Sequence, residues 1–348
     1  MKGRQLFLDE GVFEHRLVVT LNGKPERLAY RLKGQTSEFN VGTQLVARVS
    51  QLAKAHNAAF LEMPGGQEAF LPLNPDSASL HQGGFVEVEI KTEGRRGKLP
   101  VCRRTGEAAG PIRILQPGVD SFTFLAETVV SDRQAVTGAE ARAVADQAEA
   151  EALAKVYPLL DGGSISIEPT RALVAIDVDV GGREGAVAKR AARAANLAGL
   201  EDGARLLRLK GLGGLVIFDL AGRGHDNAGL LAAARTAFGP DNPGVALNQI
   251  SRFGTLELTV PRRARPLMEA LLDPDGSLSS QLLVSRMVRA IEREAVVHPG
   301  ARIRLSCSLS MVSQLDPPMS MLEAHFGKRL VVDGRSDYGR AQFDVSCL

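Results

Sequence analysis

Hydrophobic positions along this chain fall into short runs bounded by Gly and Pro, and two of them stand out: ALVAIDVDV at 172–180 and LGGLVIFDL at 212–220. Each is rich in Val, Ile and Leu and reads as a buried strand. Between them lies an Ala/Leu/Arg segment, about 184–209, with helical periodicity, so the stretch predicts a βαβ unit. A right-handed crossover makes the two strands parallel. Asp177 and Asp179 then stand near the carboxyl end of the first strand and Asp219 at that of the second.

The rest of the chain is patterned as short strands and a few helices. Residues 4–32 alternate as three strands, with Asn22–Gly23 as a hairpin turn. From 41 to 104 come further short strands, VGTQLVARVSQL, NAAFLEM, EAFLPL and FVEVEIKTE, separated by Gly-rich turns, which predict a small closed barrel of the OB type. SFTFLAETVVSD reads as one more strand, and 138–157 as an amphipathic helix without chemistry of its own. Asp161–Gly163 turns the chain into SISIEP. Beyond Asp219 the loop AGRGHDN leads to a helix at 228–238 and to strands GVALNQIS and LELTVP around Arg252–Phe253–Gly254. The chain closes with helix 278–296, strand RIRLSCSL, helix 317–326 and strands RLVVDG and AQFDVSCL.

Chemistry concentrates at the central unit. Carboxylates at the ends of neighbouring parallel strands, about 4.8 Å apart, can share one hard cation such as Mg²⁺. Neither strand contains Lys or Arg, and buried unpaired carboxylates would cost several kcal/mol each, which a cation would offset. No GxGxxG or P-loop sits at the strand–helix junctions, so no nucleotide cradle is expected. In the barrel region, Phe60 and Phe70 lie near Lys91, Arg95, Arg96, Lys98, Arg103 and Arg104, a combination suited to single-stranded nucleic acid. Strand alternation favours a core position for at least one of the two Phe. Basic residues on the crossover helix, Lys189, Arg190, Arg193, Arg205 and Arg208, read mostly as a solvated face.

At 348 residues with 44% hydrophobic content, the chain is long enough for two or three domains with real cores. Net charge is +2, and the local basic clusters keep nucleic acid open as a partner. The N-terminal MKGRQLFLDEG has no apolar core of a leader, and no stretch approaches a membrane span, so a soluble cytoplasmic protein is expected. Cys102, Cys307 and Cys347 form no CxxC, and the histidines show no His-x-x-x-His, which argues against disulfides and against a zinc site built from His and Cys.

Several stretches together resemble the ribonuclease E/G family of endoribonucleases: GGSISIEPTRALVAIDVDVG, then NLAGLEDGARLLRLKGLGGLVIFDL, then ISRFGTLEL, in similar order and spacing. Weaker matches are NAAFLEM, EAFLPL and GRRGKLP, and the portion from SQLLVSRMVRAIEREA onward is similar to the family's small domain. The resemblance implies an α+β / α/β multidomain fold. Its expected parts are a ribonuclease H-like part (1–37 and 105–170), an inserted OB-type RNA-binding barrel (38–104), a deoxyribonuclease I-like catalytic core (171–265) and a small C-terminal α/β domain (275–348). It implies Mg²⁺ held by Asp177 and Asp219, a third site residue at Asp179 where the family usually has Asn, and RNA contacts at Phe60, Phe70, Arg96 or Lys98, and Arg252.

Departures from the family pattern shape the expected activity. Residues 105–130 leave no room for a pocket sensing a 5′-monophosphate. RRARPLMEALLDPDG replaces the Cys-Pro-x-Cys zinc link, so a monomer or homodimer is expected in place of a zinc-linked tetramer. LAGRG stands where a further Asp is usual, and AVAKRAAR where the family has acidic residues. The expectation is a Mg²⁺-dependent endoribonuclease acting on single-stranded RNA regardless of its 5′ end. Its rival is an RNA-binding protein with a silent nuclease centre.

Overall fold

The structure is a computed structural model and describes residues 3–34, 39–73, 80–128, 134–160, 162–181, 185–224, 226–262 and 264–348. Of the sequence expectations, Asp161 in the Asp-Gly-Gly turn, residues 129–132 of the SFTFLAETVVSD segment and His225 of the AGRGHDN loop lie outside them.

Strands β1 (Arg4–Glu10), β2 (Glu14–Leu21) and β3 (Lys24–Leu32) form an antiparallel meander, turned at Asn22–Gly23 where both residues have positive φ. Next come β4 (Gln44–Ala53), β5 (Ala58–Glu62), β6 (Glu68–Pro72), β7 (Phe85–Thr92) and β8 (Val101–Glu107). Their order β5-β6-β8-β7-β4, with β4 also paired to β5, closes a five-stranded barrel, and β9 (Arg113–Gln116) pairs along β4. Alternate residues fill it: Leu45, Ala47, Val49, Ala59, Leu61, Leu71, Val88 and Ile90 form a sealed core.

SFTFLAETVVSD does not extend as a strand. Ser121–Thr128 is helix α1, begun by Asp120, whose Oδ1 accepts the Thr123 N–H at 2.8 Å. That cap and the burial of Phe122 and Leu125 against the meander outweigh the strand preference of the Phe and Thr residues. Helix α2 follows at Ala139–Leu153.

The central sheet runs β10 (Val156–Pro158), β11 (Ser164–Pro169), β12 (Val174–Asp179), β13 (Gly214–Asp219), β15 (Thr255–Val260) and β14 (Ala246–Leu247). The predicted strand GVALNQIS contributes only its two β14 residues. β12 and β13 are parallel, and crossover helix α3 (Gly185–Lys210) connects them, with α4 (Asn227–Ala237) after β13. The helices cover one face of this sheet, where Ile165, Ile167, Val174, Ile176, Val178, Val216, Phe218, Leu256 and Leu258 are buried. Small residues allow a close approach: a Cβ on Gly203 of α3 would lie 2.7 Å from the Phe218 ring.

The C-terminal part comprises α5 (Met268–Leu271), α6 (Ser280–Val297), β16 (Ile303–Ser308), α7 (Leu309–Val312), α8 (Asp316–Phe326), β17 (Leu330–Arg335) and β18 (Phe343–Cys347). β16 is the middle strand, parallel to β17 and antiparallel to β18. Among the described residues, no helix is long and apolar enough to cross a membrane.

Buried ion pairs join these parts. Helix α2, expected to be featureless, places Glu149 between Arg289 (2.7 Å) and Arg286 (2.8 Å) of α6, with the Tyr30 hydroxyl of β3 donating to it at 3.0 Å. Arg289 also pairs with Glu14, and Arg16 holds Asp9 at 2.6 Å and Asp146 at 2.8 Å. Arg205 and Arg208 of α3 are likewise buried, on Glu151 and Asp202 and on Glu26 and Asp241 respectively, and so are not part of a solvated basic face. Burial of an unpaired guanidinium is costly, and each of these carboxylates removes that cost.

Burial alone would raise the Glu149 carboxyl, but Arg289, Arg286 and Tyr30 outweigh it and hold it below the usual carboxylate range. A depressed folded-state pKa contributes stability in full above the unfolded value of about 4.3, and that contribution is lost as pH falls through the folded value. Glu149→Gln should therefore cost about 3 kcal/mol or more at neutral pH, with the deficit shrinking in acid. Urea denaturation of both proteins across pH 3–7 checks this, and a pH-independent difference contradicts it.

Candidate functional site

The central sheet is covered on one side only, and this decides where its carboxylates point. Along β12, Val174, Ile176 and Val178 are buried while Ala175, Asp177 and Asp179 are exposed. The expectation of buried strands with buried carboxylates is thus corrected: with period-2 alternation, the face turned from α3 and α4 meets solvent, and the Asp residues need no buried counter-ion.

Register brings the predicted residues together. Asp177 and Asp219 are direct partners across the parallel ladder, and the same rung continues to Ser166 on β11 and Thr255 on β15. Asp179 is two residues beyond Asp177, on the same face and opposite Ser164. Its Oδ1 accepts the Gly181 N–H at 3.0 Å. Glu168 and Glu257 share this open face, making it strongly acidic. Partial burial, and then the charges of Asp219 and Asp179, push the Asp177 carboxyl above its usual range. Among the described residues the three Asp oxygens do not all lie within 4.8 Å of one another. A hard cation bound through two adjacent carboxylates and water fits this donor set, since Mg²⁺ keeps several waters and takes one or two carboxylates.

A tight turn flanks the pair. Ser251 accepts the Gly254 N–H at its carbonyl, its Oγ lies 2.8 Å from Thr255 Oγ1, and Gly254 has φ +89°. This lifts Arg252 and Phe253 outward at the edge of the Asp219 rung. Phe253 is 77% exposed, with the Arg252 guanidinium 4.7 Å from its ring centre. A cation–aromatic pair beside two carboxylates offers a counter-charge for an anion approaching an acidic face.

Asn196 is the residue that sequence reasoning missed. It is 1% exposed on α3, and its amide holds Ala221 from both sides: Nδ2 donates to the Ala221 carbonyl at 3.0 Å and Oδ1 accepts the Ala221 N–H at 2.8 Å. The loop leaving Asp219 is therefore clamped two residues beyond the carboxylate. The available signal was a lone Asn in an Ala/Leu/Arg helix, where Asn has low propensity.

The other expected RNA contacts sit on the barrel. Phe60 and Phe70 are cross-strand partners on β5 and β6 and make an edge-to-face pair at 6.0 Å. Both are half-buried and stand outside the sealed barrel core, which corrects the expectation that at least one is core. Alternation points Ala59 and Leu61 inward and Phe60 outward. Lys98 is exposed in the turn after β7, closed by the Arg95–Lys98 bridge. Arg96 in that turn is engaged in the fold: its N–H donates to Glu269 at 2.8 Å and its guanidinium to the Leu272 carbonyl at 2.8 Å. Surface pairing occupies Lys91 and Arg103, both on Glu89.

These features describe a protein with an open-faced carboxylate pair beside a basic turn, joined to a separate closed barrel. Residues 126–263, which hold the pair, its helix and the turn, match the Ribonuclease E/G family. A chloroplastic ribonuclease E/G-like protein of Arabidopsis thaliana is 34% identical over 119 residues, 33% of this chain and 12% of its own length. Ribonuclease E of Haemophilus influenzae is 36% identical over 115 residues, 32% of this chain and 12% of its length, and that of Escherichia coli is 35% identical over 116 residues, 32% and 11%. These matches lie in the central segment, so residues 126–263 are similar to the ribonuclease E/G family. The aligned stretch spans about an eighth of the length of these relatives.

Replacing Asn196 by Ala should release the Ala221 loop. Two buried hydrogen bonds are lost, so stability should fall by about 1–3 kcal/mol, and amide exchange at 220–222 should rise more than elsewhere in the sheet. Unchanged protection there would mean that the clamp does not hold the loop.

Proposed function

We propose that the protein is a Mg²⁺-dependent endoribonuclease that cleaves single-stranded RNA in RNA processing or decay. The observation that carries the reading is the shared rung of Asp177 and Asp219 on an open sheet face, within the segment matching the family. On this reading Asp177 and Asp219 hold the ion, which when bound polarises a phosphodiester oxygen and lowers the pKa of a coordinated water. Asp179, tied through Oδ1 to Gly181, keeps its other oxygen for orienting water. Arg252, stacked on Phe253, meets the phosphate that five acidic side chains would otherwise repel.

The parts divide as the resemblance suggests. Residues 38–104 act as an OB-type barrel, 171–265 as a deoxyribonuclease I-like catalytic unit, 1–37 with 105–170 as a ribonuclease H-like part, and 275–348 as a small C-terminal domain. In OB-type barrels, oligonucleotides run over strands 2 and 3 and the loop between strands 4 and 5. β5 and β6 are the second and third barrel strands, carrying Phe60 and Phe70, and Arg96 and Lys98 lie between β7 and β8. Aromatic rings at a barrel surface stack on any base and suit unpaired RNA. Arg96 contributes charge from a pinned position, and Lys98 is the freer cation. The site of action is the cytoplasm, and the protein works as a monomer or homodimer.

End-labelled single-stranded RNA with Mg²⁺ tests the reading. Wild type should cut internally, and Asp177→Asn and Asp219→Asn should each lower the rate on the order of 10²–10³-fold with RNA affinity retained. RNA bound but uncut by the wild type would instead identify a binding protein with a silent centre. Phe60→Ala and Phe70→Ala should each weaken RNA binding by about 1–3 kcal/mol, measured by fluorescence anisotropy, and unaltered affinity would remove the barrel from the binding path. Substrates carrying 5′-phosphate and 5′-hydroxyl ends should be cut at equal rates, and a clear preference for the phosphate contradicts 5′-end independence.

A further inference from the structure

The C-terminal part holds a cluster that the nuclease reading does not use. Glu294 and His298 are spaced i, i+4 at the end of α6, and Cys347 comes from β18, 53 residues after Glu294. Glu294 Oε2 lies 3.6 Å from Cys347 Sγ and 3.7 Å from His298 Nε2, and one donor atom from each residue lies within 4.8 Å of the others. Tetrahedral zinc with bonds of about 2.0–2.3 Å places neighbouring donors about 3.3–3.6 Å apart. The two separations from Glu294 Oε2 are close to that geometry.

The backbone around the cluster is fixed. β18 pairs with β16 through Cys347 opposite Ile303, and the Leu348 N–H donates to the Arg302 carbonyl at 2.8 Å. The His298 N–H closes α6 on the Glu294 carbonyl at 2.9 Å. Arg329 donates to the carbonyls of Ala301 at 3.0 Å, His298 at 3.3 Å and Ala295 at 3.4 Å, holding the chain as it leaves the helix. Such an outer layer orients ligands before the ion arrives.

We propose that Glu294, His298 and Cys347 form a zinc site that staples strand β18 to the end of helix α6. One thiolate, one imidazole and one carboxylate select a borderline-soft divalent ion over Mg²⁺, which prefers oxygen. The fourth position faces solvent and takes water. On binding, the Cys347 thiol loses its proton to solvent as the sulfur–metal bond forms, so charge and atoms balance without a redox step. Neither a CxxC nor a His-x-x-x-His spacing marks this set, because its third donor is distant in the chain.

The test is titration of the chelator-stripped full chain with Co²⁺. The expected result is one equivalent bound with a thiolate-to-cobalt charge-transfer band, displaced by Zn²⁺ and insensitive to excess Mg²⁺. Cys347→Ser should abolish the band, while His298→Ala and Glu294→Gln should each weaken binding by roughly tenfold or more. All three side chains are at the surface, so circular dichroism should be unchanged in the variants. Zn²⁺ should also raise the thermal midpoint of the wild type and not of Cys347→Ser. The proposal is overturned if no charge-transfer band appears, or if the band keeps its affinity in His298→Ala and Glu294→Gln, which would identify an adventitious thiol complex. Cys102 and Cys307 are buried and serve as internal controls.

Discussion

Coverage of the central sheet by helices on a single face is the constraint on which the candidate site depends. α3 and α4 supply apolar contact to one side, so every second residue of β11, β12, β13 and β15 is drawn inward. The remaining residues have no layer to pack against, and polar types are tolerated there. Carboxylates from two strands can then share a rung without the desolvation cost that a sheet buried on both faces would impose. Partial burial, and then repulsion from Asp219 and Asp179, still raise the Asp177 carboxyl.

Holding that face in place requires the rest of the chain to be rigid. Crossover helix α3 does so through its own side chains: Gly203 admits the Phe218 ring, Asn196 clamps the loop beyond Asp219, and Arg205 and Arg208 anchor it to the meander and to neighbouring segments. The Glu149 network ties α2, α6 and the meander in the same manner. Buried pairs of this kind add little net stability over an apolar core, but each is unforgiving once a partner is lost, which confines the elements to one arrangement.

The barrel divides its labour by strand face. Inward positions make a dry core, and outward positions present the half-buried Phe60–Phe70 pair, so one short segment faces two environments. Its Arg95–Lys98 turn also contacts the segment around Glu269 and Leu272, which links the barrel to the chain beyond the central sheet. Charge at this turn is thus partly structural.

The sequence by itself determined most of the order of strands and helices, the closed barrel, the parallel βαβ unit and the position of Asp177, Asp179 and Asp219 at strand ends. These follow from local periodicity, turn residues and the handedness of the crossover, all readable within a few dozen residues. What lies further apart was decided by tertiary structure. Which face of the sheet stayed open, and hence that the carboxylates are solvated, depends on where α3 and α4 pack. The helical state of Ser121–Thr128 depends on the Asp120 cap and a docking surface on the meander. The burial of Arg205 and Arg208, the partners of Glu149 and the meeting of Glu294 with Cys347 join residues tens to hundreds of positions apart. Periodicity reports which side of an element is apolar, and only packing determines what meets the other side.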